Sequence, residues 1–203
     1  MKIDVAYAKK AALGVAMGAV GAALFLFAFP GGSISTLMHD VLHLPGPGAG
    51  IAAVFGPFLI FVLLLSSLLT RTRGVALIAA LAFVVSCMVL VQVHGARTNP
   101  KGAFGSLLFL AALALLGLAI EVVLVLSSAF RPARQCLLTG AVANAVLLIF
   151  YWLVIFPRTA SWVKWKDVPV LMGICLVTGL LAGYVAWLAF QPLSRVLALG
   201  DKE

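Results

Sequence analysis

The sequence predicts an all-α fold, a polytopic membrane protein built as one bundle of six transmembrane helices. Three observations carry this. Of 203 residues, 64% are hydrophobic and 10% charged, with a mean hydropathy of +1.20, against roughly half apolar and a quarter charged in soluble domains. The apolar residues fall in unbroken runs of about twenty, the length a helix needs to cross about 30 Å of hydrocarbon. Stretches such as Ile51 to Leu69 and Leu107 to Ala119 do not alternate apolar with polar, as barrel strands would.

Taken in order, the spans are expected at about 8–29, 50–70, 74–94, 105–129, 136–156 and 168–190, within a single membrane domain covering 1–203. Each is closed by proline, glycine or charge, as helix-ending signals require. The first follows Lys9 and Lys10 and stops at Phe29-Pro30-Gly31. Its apolar run from Ala11 to Phe29 is longer than the core of a secretory signal, so it is read as a true span. The second ends at Arg71-Thr72-Arg73, the third begins at Gly74, and the fourth and fifth flank Arg131-Pro132-Ala133-Arg134. The sixth follows Asp167.

Six spans return the chain to its starting side. Nine basic residues lie on that side (Lys2, Lys9, Lys10, Arg71, Arg73, Arg131, Arg134, Arg195, Lys202) and five on the other (Arg97, Lys101, Arg158, Lys164, Lys166). The positive-inside rule then puts both termini in the cytoplasm and faces segments 30–49, 95–104 and 157–167 outward. The net charge of +8 is thereby explained by the membrane, and nucleic acid is not expected as a partner. Cys87, Cys136 and Cys175 form no CxxC pair and read as small buried hydrophobes.

The outer segments carry the more varied chemistry. The first, Phe29 to Gly50, is too long for a simple connector. In it, His39 and His43 stand at i, i+4 and would share one face of a short interfacial helix over Leu37 to Leu44. That spacing suits ligand hydrogen bonding, lid closure or plain interfacial polarity; two imidazoles without further ligands fall short of a zinc site, so no metal is assigned. In the third, Trp162 and Trp165 interleave with Lys164 and Lys166, and Tyr151 and Trp152 precede it. These aromatics are either interfacial anchors or a wall on which a planar ligand ring stacks. His94, Arg97 and Asn99 offer further polar contacts. The candidate substrate-binding set is therefore His39, His43, His94, Asn99, Trp152, Trp162 and Trp165.

Glu121 is the only acid inside a span, where an unpaired charge is costly. It lies about eleven residues before Pro132 and Asn144 about as many after, so the two are expected at one depth on antiparallel neighbours, as an intramembrane polar pair. The pair would serve either helix packing or coupling to a substrate, proton or partner. On span one, Gly14, Gly18 and Ala22 form one small-residue stripe with Ala12, Ala16 and Ala19 beside it, and Gly179 and Gly183 repeat the spacing in span six. Such stripes admit close helix approach, either within the bundle or against a separate membrane subunit.

The sequence contains no P-loop, GxSxG or HExxH, and no acidic run fit to hold magnesium, so an enzyme is not expected. Haem would need axial ligands deep in the spans, and only His94 reaches a span's edge, so no cofactor is assigned. The chain does not divide into the inverted halves of a secondary transporter.

Six spans in about two hundred residues, the small-residue stripe on span one, the long outer first loop, and Phe55-Gly56-Pro57 opening span two resemble the S components of energy-coupling factor transporters. Gly74-Val-Ala-Leu-Ile-Ala-Ala, Gly117-Leu-Ala-Ile-Glu121-Val-Val and Thr178-Gly-Leu-Leu-Ala-Gly183 resemble the hydroxymethylpyrimidine, or thiamine-precursor, members. The resemblance implies outward capture of a vitamin, a precursor or a trace metal, with the first loop as lid. It also implies energy from a T component and two cytoplasmic ATPases, and a T-component docking face at Ala12, Gly14, Ala16, Gly18 and Ala19. The amino-terminal histidine motif of nickel and cobalt members is missing from Met1-Lys2-Ile3. The competing expectation is a non-catalytic structural or assembly subunit of a larger membrane complex.

Overall fold

A computed structural model describes residues 5–28, 40, 43–44, 48–94, 107–159 and 163–200. The long helices are α1 (Val5–Ala28), α2 (Gly56–Thr70), α3 (Val75–His94), α4 (Leu107–Leu126), α5 (Pro132–Phe150) and α6 (Val168–Gly200). All six, α2 and α5 with the turns that extend them, are long and apolar enough to cross a membrane, and no strand occurs among the described residues. The protein is an all-α, multi-pass membrane bundle. Span five opens at Pro132 rather than 136, because proline is pre-organised for a first turn whose N–H would go unpaired anyway.

α2 is the hub, packing against each of the other five helices, while α1, α3, α4, α5 and α6 form an arc of successive neighbours around it. Its composition dictates this place. It is apolar all round, with only Ser66, Ser67 and Thr70 as buried polar residues, and the first and last of these hydroxyls return hydrogen bonds to their own helix (Ser66 Oγ to Val62 O, 2.7 Å; Thr70 Oγ1 to Ser66 O, 2.9 Å). Over its span 61% of residues are buried, against 28–39% in the other five. Among the described residues no extended packing of α1 on α6 closes the arc. There Phe58 and Phe61 of α2, with Leu181 and Val185 of α6, line a lateral groove of about 310 Å³.

Glycine sets how closely the helices approach. A Cβ at Gly18 would strike the carbonyl oxygen of Ala79, and one at Gly14 would meet Val75 Cγ1 at 2.7 Å. These two glycines are therefore spent on α1–α3 packing inside the bundle, which corrects their place in an external docking face. Ala12 and Ala16, on the neighbouring face, are exposed, and Ala19 is half-buried.

The turns 71–74 and 127–131 lie at one end of the bundle, where residues of both line one cavity and Gly74 lies beside Tyr7. The opposite end holds Gly48, Trp152 and Phe156 together. At that end the space among α1–α4 is filled by phenylalanine rings. Phe25 meets Phe55 edge-on at 4.9 Å between centroids, and Phe55 stacks on Phe109 at 6.1 Å.

Candidate functional site

Two spans depart from regular α-helix in the same way at the end of the bundle that holds Gly48, Trp152 and Phe156. The backbone forms a wide, π-type turn over Ile51–Phe55, followed by Gly56-Pro57, and another over Tyr151–Ile155, followed by Phe156-Pro157. Proline explains both. It has no N–H, and its ring crowds the carbonyl four residues back, so the preceding turn widens and the donor before proline reaches i−5 instead. Accordingly Gly56 N–H binds Ile51 O, and Phe156 N–H binds Tyr151 O.

In the first turn this shift leaves Ala52 O without its helical donor, since the next amide in that register belongs to Pro57. Side chains replace it. Thr178 Oγ1 lies 2.6 Å and Asn144 Nδ2 3.0 Å from Ala52 O, and Asn144 Nδ2 also lies 2.8 Å from Cys175 O. Asn144 is fully buried, and its Oδ1 accepts no hydrogen bond among the described residues; it lies against Gly56, where any Cβ would strike it. The polar node of Ala52, Asn144, Cys175 and Thr178 thus ties α2, α5 and α6 together in the halves nearer Trp152.

Glu121 is elsewhere. Its Oε1 accepts from Ala76 N–H at 2.8 Å and Ser67 Oγ at 3.3 Å. The carboxylate caps the first turn of α3 from the side, where orphan amides and the helix dipole favour negative charge. Its partner Ser67 lies fifteen residues beyond Ala52 on the same span, about 20 Å along the axis. The expected pairing of Glu121 with Asn144 is therefore corrected. The reason is the turn between their helices. α4 ends at Leu126 and α5 begins at Pro132, so Glu121 is five residues from its helix end and Asn144 twelve from its own.

Trp152, within the second widened turn, is clamped from above. Gly48, at φ +105°, lies so close that a Cβ would meet Trp152 Nε1 and Leu148 Cδ1, each at 3.0 Å. Trp152 packs against the buried Ala49 and Leu171, as do Leu44, Ala53 and Val54. Glycine at 48 is doubly required, by its left-handed backbone and by this approach. Beyond Trp152 lies a cavity of about 380 Å³ lined by Ile149, Trp152, Leu153, Val163, Trp165 and Val168. Trp165 opens a short 3₁₀ turn, Trp165–Asp167, and is 89% exposed.

Of the expected substrate-binding set, the structure brings Trp152 and Trp165 to one cavity. His43 is exposed, and its backbone φ of 51° ends any helix before it, so a helix over 37–44 carrying His39 and His43 on one face is corrected at its last turn. His39, Asn99 and Trp162 lie outside the described residues, as does the side chain of His94. Sequence reasoning missed Thr178, Gly48 and Ala52. The prolines at 57 and 157 were the available signal, since each marks a carbonyl that must find a new donor.

No family model, curated protein or solved structure matches the chain.

Proposed function

We propose that this protein is the substrate-capture subunit of an energy-coupling factor type importer in the cytoplasmic membrane of a prokaryote. It would bind a vitamin, a vitamin precursor or another micronutrient, with a thiamine precursor as the first candidate. The observation that carries the reading is the cavity between Trp152 and Trp165 at the outer end, roofed at Trp152 by the end of the first outer segment. Its volume of about 380 Å³ is in the range of small-molecule sites, and two indole faces with apolar neighbours suit a planar ring. In this reading both termini are cytoplasmic, and the chain hydrolyses nothing itself. A T component with two ATPases supplies energy, docking along the exposed Ala12 and Ala16 face of α1.

The second reading, a structural subunit, draws on the phenylalanine-filled space among α1–α4 and on the helix-capping role of Glu121. One experiment separates them. The protein is purified from rich medium in mild detergent and denatured, and released small molecules and metals are identified by mass spectrometry. A vitamin-like compound in near-stoichiometric amount is expected. Repeated blanks, with thermal stability unmoved by a panel of vitamins and divalent metals, would overturn capture in favour of the structural subunit.

A further inference from the structure

At the end opposite the tryptophans, charges of both signs line one cavity without meeting. A space of about 450 Å³ is bounded by Arg71, Arg73, Glu121, Ser128, Gln135 and Phe190, among others. Among the described residues neither arginine forms an ion pair with Glu121. Arg71 caps α2 in the left-handed conformation (φ 50°, ψ 32°), a position glycine would occupy without strain, and its guanidinium lies 5.8 Å over the Phe190 ring. Both hydrogen bonds of Glu121 fall on Oε1; Oε2 accepts none among the described residues. Glu121 and Arg73 also border a second, almost wholly apolar cavity of about 320 Å³ with Leu77, Leu118, Val122 and Leu126. Leu118 and Leu126 on its wall are 51% and 77% exposed, so it opens along the lipid-facing groove between α3 and α4.

We propose that the two cavities form one phospholipid site, selective for a headgroup that carries both a phosphate and a primary ammonium, as in phosphatidylethanolamine. The arginines take the phosphate, for which their planar forks are suited. The free Oε2 of Glu121 accepts from the ammonium, and an acyl chain follows the apolar groove. A purely anionic headgroup would set its charge against Glu121, and a quaternary ammonium would have no N–H to donate. The apolar groove continuing from the polar cavity is what favours a lipid over a soluble phosphate ester. The site stands independently of what the outer end captures.

The test is native mass spectrometry of the delipidated full-length protein, titrated with phosphatidylethanolamine, phosphatidylcholine and phosphatidylglycerol of identical chains. Phosphatidylethanolamine is expected to be retained most; Arg71→Gln and Arg73→Gln should each weaken retention of all three lipids about fivefold, whereas Glu121→Gln should remove the preference for the ethanolamine lipid. Both arginine side chains are exposed, and the thermal stability of each lipid-free variant reports its folding. Equal retention of the ethanolamine and choline lipids, stronger retention of phosphatidylglycerol, retention unchanged in the double arginine variant, or a preference unchanged in Glu121→Gln would each overturn the proposal. Displacement of the lipid by free O-phosphoethanolamine at equal concentration would overturn the lipid assignment in favour of a soluble ligand.

Discussion

Gly140 and Gly179 bring the backbones of α5 and α6 into direct contact, so that a Cβ on either would run into the carbonyl oxygen of the other. Gly183 continues the seam against Cys136 O. The contact is backbone to backbone, with no flexible side chain to give way. Gly140→Val is expected to destabilise the bundle by about 1–3 kcal/mol or more, read as a lower unfolding temperature in detergent. Gly173→Ala, where a Cβ meets nothing within 4 Å, provides the comparison; equal losses at both sites would refute the seam.

The polar node at Ala52 predicts non-additive effects. Asn144→Ala and Thr178→Val each remove one replacement donor for the carbonyl freed by Pro57, and each should cost about 1–2 kcal/mol. The double variant is expected to lose more than the sum, because either donor alone still satisfies Ala52 O and only the double variant orphans it. Strict additivity in a thermal double-mutant cycle would show that Ala52 O does not couple them.

Glu121 holds α3 chiefly through the oxygen it offers to Ala76 N–H, with its charge adding the smaller share from the helix dipole. Glu121→Gln keeps an oxygen for Ala76 N–H and should leave thermal stability nearly unchanged, whereas Glu121→Ala orphans that amide at about 1–3 kcal/mol. Equal stability of the two variants would remove the capping role.

The two faces of α1 should respond in opposite ways. Gly18→Leu drives a side chain into Ala79 O and is expected to abolish folding of the isolated protein. Ala16→Leu, on an exposed position, should leave the isolated protein as stable as wild type. If Ala12 and Ala16 meet a T component, as proposed above, Ala16→Leu will fail to co-purify with it; intact co-purification would move the docking face elsewhere.

The six spans were legible because lipid demands about twenty apolar residues whatever their order. Which helix is central was less so. α2 and α4 are both leucine-rich, and only the buried Ser66, Ser67 and Thr70 distinguish a helix surrounded by protein from one facing lipid. The small residues on α1 showed that some helix must approach, but not which: Gly14 and Gly18 meet α3, while Ala12 and Ala16 face outward. Depth counting failed for Glu121 and Asn144 because a five-residue turn placed its midpoint three residues before Pro132. That Trp152 and Trp165 stand out was legible because aromatics near an interface are conspicuous, but that they line one cavity, and that Gly48 lies over the indole, is visible only in the folded chain.

The two widened turns before Pro57 and Pro157 lie at the same end of the molecule, away from the turns tied by Glu121 and Gln135. Mechanically this makes the bundle a clamp with a stiff hinge and compliant jaws. At one end, neighbouring helices fasten one another's termini across the turns; at the other, two helices have given up their regular ladder, and one of them rests at Ala52 O on side chains from its neighbours. A load applied at the tryptophans is therefore taken up first by local rewinding of residues 51–55 and 151–155, while the seam at Gly140 and Gly179 holds its register.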